Sequence, residues 1–223
     1  MVAPVTRPGS TSRTTVRRIP ENAVNDREAL HQILDSGLVG HVAVVADGQP
    51  FVLPVAYARR GSDIVFHGST GSRLFRALAE GQPTCFTVTL LDGLVVARSA
   101  FHSSMHYRSV MALGIARRLE GDDELDALHV ITEHLLPGRW SECRPPSTKE
   151  LAGTMTLALD LNEASVKVGA GDPEDDEADI STPPYSRIWA GVVPLAESFG
   201  TPVRSGDCPE DVPIPDYVAG WAR

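Results

Sequence analysis

The sequence predicts a mainly β protein with peripheral helices, an α+β chain organised around a small antiparallel β-barrel. Three observations carry that expectation. Seven to nine short apolar or alternating runs follow one another at turn-length spacing, the pattern of sandwiches and barrels. Helix-period stretches fall between groups of these runs, without the strict alternation of strand and helix that a doubly wound sheet requires. Neither a GxGxxG nor a Walker loop is present to suggest a nucleotide fold of that kind.

The elements follow in order. "NDREALHQILDSG" (25–37) reads as the first helix, with Asn25 as its cap, Glu28 completing a capping box, and Leu30, Ile33 and Leu34 as its apolar stripe. "VGHVAVV" (39–45), "FVLPVAYAR" (51–59) and "DIVFHG" (63–68) form a three-strand meander whose first turn carries Asp47-Gly48. "SRLFRALAEG" (72–81) is a short helix that ends at Gly81. "PTCFTVTL" (83–90) and "GLVVARSAF" (93–101) are read as two strands joined by an Asp-Gly turn, and "YRSVMALGIARRLE" (107–120) as a strand with helix in competition. A helix over 122–138, capped by Asp122 and stopped by Pro137-Gly138, precedes strands at 154–161, 164–170 and 187–195.

Composition narrows the class of function. A formal charge of −9 argues against a phosphate-tracking nucleic-acid surface. No apolar run is long enough to cross a bilayer, so no membrane partner is expected. Cys85, Cys143 and Cys208 are scattered without a CxxC pair, which disfavours a disulfide framework or zinc site and makes cytoplasm the expected compartment. Residues 1–20 lack acids and carry four arginines; they read as a disordered basic arm. The domain is expected over 21–200, followed by a Pro- and Gly-rich extended arm at 201–223.

Chemistry concentrates in few places. "FHGSTGSR" (66–73) follows a strand and opens a helix, where unpaired backbone N–H groups favour an anion. Gly68 and Gly71 would let a ligand approach, Ser69, Thr70 and Ser72 offer hydroxyls, and Arg73 a forked cation. The same residues also suit an ordinary capped helix start. "SMHYRSV" (104–110) sets Tyr107 beside Arg108, a pair suited to a phosphorylated ring or to a plain surface strand. His102 and His106 lack the further ligands of a metal site, and none is expected. The acidic stretch "GDPEDDEAD" (171–179) does not match a calcium loop. No Ser–His–Asp or Cys–His signature occurs, and no general base or other catalytic residue is assigned.

Together "GQPFVLPVAYAR", "FHGSTGSR", "SMHYRSV" and "IWAG" resemble the flavin-binding split barrel of the pyridoxamine 5′-phosphate oxidase superfamily. The closer likeness is to its branch of nitroimidazole-resistance-type flavin-binding proteins, over roughly residues 17–200. The resemblance implies a six-or-more-stranded antiparallel split β-barrel of Greek-key type, and a homodimer holding FMN between subunits. Ser72 and Arg73 match a Ser-Arg-Lys run that grips the flavin phosphate, with Leu74 in place of the lysine. Val52, Leu53, Pro54, Val55 and Tyr57 fall on the strand that lies along the flavin ring, Val52 and Tyr57 replacing that strand's Arg and Lys. His67 and Gly68 fall at a ring or ribityl contact, Ser69 and Thr70 in the phosphate loop, and Arg108, with Arg98, supplies compensating charge. Trp189 and Gly191 match a Trp-x-Gly that packs against the flavin, but "GVVPLAES" replaces the Arg-rich segment that clamps the oxidase's substrate. The implied activity is that of an FMN-dependent oxidoreductase on another small molecule. A flavin-binding store or sensor without turnover, and a related barrel that takes haem or a deazaflavin, are the alternatives.

Overall fold

The computed structural model describes residues 6–221. Its strands are β1 (Val39–Ala46), β2 (Gln49–Arg60), β3 (Asp63–Ser69), β4 (Pro83–Val96), β5 (Ser104–Ile115), β6 (Arg117–Arg118), β7 (Thr154–Asp160), β8 (Ala164–Val168) and β9 (Gly191–Pro194). They join in the order β6-β7-β3-β2-β1-β4-β5-β8, with β9 on β4, and every pairing is antiparallel. Because β6 leaves the end of β5 and pairs with β7, the path returns to its starting edge. The result is a curled barrel, as the strand spacing predicts.

Alternation decides what fills it. Val42, Val44, Phe66, Phe86, Val88, Val110, Leu157 and Val166 point inward from six strands and are almost wholly buried. Helix α1 (Arg27–Ser36) adds Leu30, Ile33 and Leu34 to the same core. A smaller core lies outside the barrel, where Ala127 and Ile131 of α3 (Asp122–Leu135) cover Ala58, Val65 and Ala158. Helix α2 (Arg73–Ala79) inserts Leu74, Phe75 and Leu78. Three short helices complete the chain: α4 (Thr148–Gly153), α5 (Glu177–Ser181) and α6 (Asp216–Ala219).

Several local expectations are corrected. Asp26, not Asn25, caps α1, accepting from the Glu28 N–H, and the reciprocal capping box occurs instead between Ser147 and Glu150 at α4. Gly121 occupies the cap position of α3, and Asp122 is its first residue. Asp92-Gly93 is not a turn: β4 runs straight through it, with a bulge between Leu91 and Gly93 that lets its two halves face different neighbours. Thr84–Thr87 pair with β1, and Gly93–Val96 pair with β9. The stretch after Tyr107 is strand through Ile115, as read, but the final strand, expected from 187, begins at Gly191, leaving Trp189 in the preceding loop. Residues 6–20, expected as a loose arm, run along β8: Gly9 N–H donates to Ala164 O at 2.7 Å, Arg13 pairs with Glu163, and Thr14 is buried. The start of that arm, residues 1–5, lies outside the described residues.

Candidate cofactor site

A split between two neighbouring strands builds the site. β2 and β3 pair only from Tyr57↔Phe66 to Arg60↔Asp63. Beyond Phe66, β3 keeps β7 on one side through Ser69, while β2 keeps β1 on one side through Gln49. Val52, Leu53, Pro54 and Val55 therefore flank one side of the opening, and His67 to Arg73 the other. Pro54, which has no N–H to give, sits where only one edge of β2 is paired. Across the opening the Arg73 guanidinium lies 4.4 Å from the centroid of the Phe51 ring. Among the described residues no carboxylate pairs with Arg73, and its side chain is exposed.

The "FHGSTGSR" loop is a capped turn: the N–H groups of Thr70, Gly71 and Ser72, expected to be unpaired, donate to Gly153 O, Ser69 Oγ and Ser69 O. Ser72 Oγ accepts from the Phe75 N–H at 3.5 Å, and Ser69 Oγ from the Gly71 N–H at 3.1 Å. Both hydroxyl protons remain available. Thr70 is committed: its N–H and hydroxyl both reach Gly153 O, at 3.1 and 3.3 Å. Gly68 does not admit a ligand, because a Cβ there would lie 2.3 Å from the Phe75 ring; its bareness makes room for the core. Leu74, at the lysine position of the oxidases, is itself buried in that core.

His67 faces the other side of the sheet, in line with Val65 under α3. Its Nδ1 is buried without a hydrogen-bond partner, while Nε2 makes no hydrogen bond and is not sealed off. Burial holds the imidazole below its usual pKa, so it is neutral at pH 7. The ring borders a cleft of about 580 Å³, walled by Leu128 and Thr132 of α3, Thr154 of β7 and Leu151 of α4, and roofed by Arg139, Trp140 and Cys143. That roof, residues 136–146, was missed from the sequence, although "PGRWSECR" carries an aromatic and two arginines beside a helix stop.

The remaining candidates lie elsewhere on the chain. Tyr57 is fully buried, donates to Leu34 O at 2.7 Å and packs edge-on to Phe86; it is a core residue, closed to any ligand. Tyr107 and Arg108 are separated from the split by β1 and β4. Arg108 forms a forked ion pair with Asp92 at the bulge, at 2.8 to 3.2 Å, and borders a second cleft of about 720 Å³ that shares no lining residue with the first. Arg98 is held by Asp175 of the acidic loop at 2.7 Å, which accounts for its charge. Trp189 is 64% exposed, ahead of β9. Within one chain, then, the split, the His67 cleft and the Arg108 cleft are separate places, and Trp189 lines neither cleft.

A curled antiparallel barrel opened between two strands, with a capped helix start at the opening, defines a split-barrel protein. The chain belongs to the pyridoxamine 5′-phosphate oxidase family, whose sequence profile matches residues 26–168, as the motifs implied. It is similar to the FAD and heme binding protein from Mycobacterium smegmatis, with 41% identity over 89% of this chain and 96% of that one, and a TM-score of 0.84. It is also similar to the flavocytochrome Anf3 from Azotobacter vinelandii, at 38% identity over 96% and 97% of the two chains, with a TM-score of 0.87. A candidate 5-nitroimidazole antibiotic resistance protein from Bacteroides thetaiotaomicron shares the fold at 18% identity, over 66% and 86% of the chains, with a TM-score of 0.57. No curated protein matches the sequence.

Proposed function

We propose that this protein binds both a flavin and a haem, and serves electron transfer between them and a small molecule. The observation that carries the reading is His67: a neutral imidazole with one orphaned nitrogen and one open nitrogen, bordering a cleft of ligand size. Nε2, which makes no hydrogen bond and borders the cleft, is the nitrogen through which His67 would hold haem iron, with the ring proton kept on Nδ1. A neutral ring is the form that ligates. Two relatives near 40% identity, whose names specify FAD and heme or a flavocytochrome, support the same pair of cofactors.

In this reading the flavin lies along the opened edge of β2, its phosphate taken by Arg73 with the hydroxyls of Ser69 and Ser72. The motif resemblance implied FMN; the relative named for FAD favours the dinucleotide, and the phosphate contact serves either. The bound groups supply one- and two-electron redox chemistry. The chain's contribution is to orient them and to exclude water: Leu128, Leu151 and Trp140 line the cleft beside His67. Arg108 and Trp189 join the flavin site through a second copy, which gives the dimer a functional reason. Turnover on a particular substrate follows only if an electron donor bleaches the flavin and an acceptor restores it.

The test is reconstitution with haemin and flavin, read by absorbance and by mass spectrometry of whatever is released. The wild type is expected to show a haem Soret band together with a flavin spectrum. His67→Ala should lose the Soret band and keep its flavin, while Arg73→Ala should weaken FMN and FAD about 10- to 100-fold and leave riboflavin unchanged. A wild type that takes flavin but no haem sinks the haem half of the reading.

A further inference from the structure

The roof of the His67 cleft is fixed from three directions. Glu133, in the last turn of α3, accepts from the Gly138 N–H at 2.6 Å and the Trp140 N–H at 2.8 Å. Trp140 rests against the His129 ring, with centroids 5.2 Å apart. On the far side Arg144 lies edge-on to Glu150, which also closes the capping box of α4. The third hold comes from the C-terminal arm. Tyr217 of α6 lies over Gly138, where a Cβ would meet its ring at an ordinary contact distance of 3.5 Å, and Gly138 takes a left-handed φ of 91°. The Tyr217 hydroxyl donates to Glu142 Oε2 at 2.6 Å and accepts from Arg139 Nη1 at 3.3 Å.

The two roof arginines differ in what they have left to give. Arg144 commits both terminal nitrogens, to Glu150 and to Pro145 O. Arg139 commits only Nη1, to Glu142 and Tyr217. Its Nε and Nη2 make no hydrogen bond among the described residues, and it lines the cleft that His67 borders. A guanidinium with one corner fixed and an adjacent pair of donors free is a preorganised fork for a carboxylate.

We infer that Arg139 binds a carboxylate of the group ligated by His67, and that Tyr217, from the C-terminal arm, is the positioning residue that aims it. This rests on the haem reading, since haem carries two such carboxylates. It also gives the arm a role in the site that the arm's distance in sequence conceals.

Soret titrations of the full chain with haemin and with haemin dimethyl ester, which lacks the charges, test it. The wild type is expected to favour the diacid by about tenfold or more. Arg139→Gln and Tyr217→Phe should lose most of that preference while binding the ester within about twofold of the wild type. Equal weakening toward both porphyrins, or a wild-type preference kept by Tyr217→Phe, overturns the assignment. A wild type that binds both porphyrins equally overturns it too, yet leaves the haem reading standing. One that binds neither removes the haem reading and this inference together.

Discussion

His31, half-buried on α1, shows how single residues set this protein's response to pH. Its Nε2 is buried without a partner, and burial, with the nearby Arg59 and Arg27 charges, lowers its pKa below 6.5. The unfolded chain therefore takes up the proton first as pH falls. Stability from this residue is intact above 6.5 and declines as pH drops below it. His67 shifts in the same direction through burial alone, so the effect is read as a difference between proteins. We expect His31→Gln to flatten the fall in urea midpoint between pH 7 and pH 5 relative to the wild type. An unchanged slope would remove His31 as a contributor. At the same scale, Ser72 and Arg73 were legible from their place after a strand, because a helix start needs a cap and exposes donors whatever surrounds it. Tyr57 was not: a tyrosine in an alternating strand can serve the core or a ligand, and only the Leu34 carbonyl and the Phe86 ring settle which.

At the scale of elements, the junction of β3 and α2 carries most of the site. Phe75 lies in the space a side chain at position 68 would need, so the helix docks closely and Arg73 reaches the mouth of the split. Gly68→Ala should force the Phe75 ring to shift, costing about 1–3 kcal/mol and loosening flavin in proportion. Thermal melts of the flavin-free protein measure the first effect; an unchanged midpoint would show that the contact relaxes freely. Boundaries of β1, β2, β3 and β7 were readable to within about two residues, since alternation against a one-sided core is a local pattern. The bulge at Asp92-Gly93 was not. A two-residue turn and a bulge use the same glycine, and the choice falls to β5 and β9, which pair with β4 across it.

At the scale of the whole molecule, one face of the barrel remains apolar and uncovered. The register of β1 and β2 sets Val39, Ala43, Val45 and Val52 on the side opposite the core, and Val45 and Val52 are each 57% exposed. This is the face that a second copy would cover in the dimer proposed above. Val52→Asp should shift the protein to monomer in sedimentation equilibrium and release flavin, with little loss of secondary structure. A dimer that survives the charge would place the interface elsewhere.

The antiparallel barrel, its principal strands, the helices that cover it and the capped start of α2 were legible in the sequence. Each of these rests on periodicity, turns or caps, which act over a few residues. The tertiary structure decided the rest. The split between β2 and β3, the neutral His67 in its cleft, and the roof tied down by Tyr217 bring together residues up to 87 positions apart. No local pattern encodes such contacts, because they arise only once the barrel has closed and its core has chosen which side chains to keep.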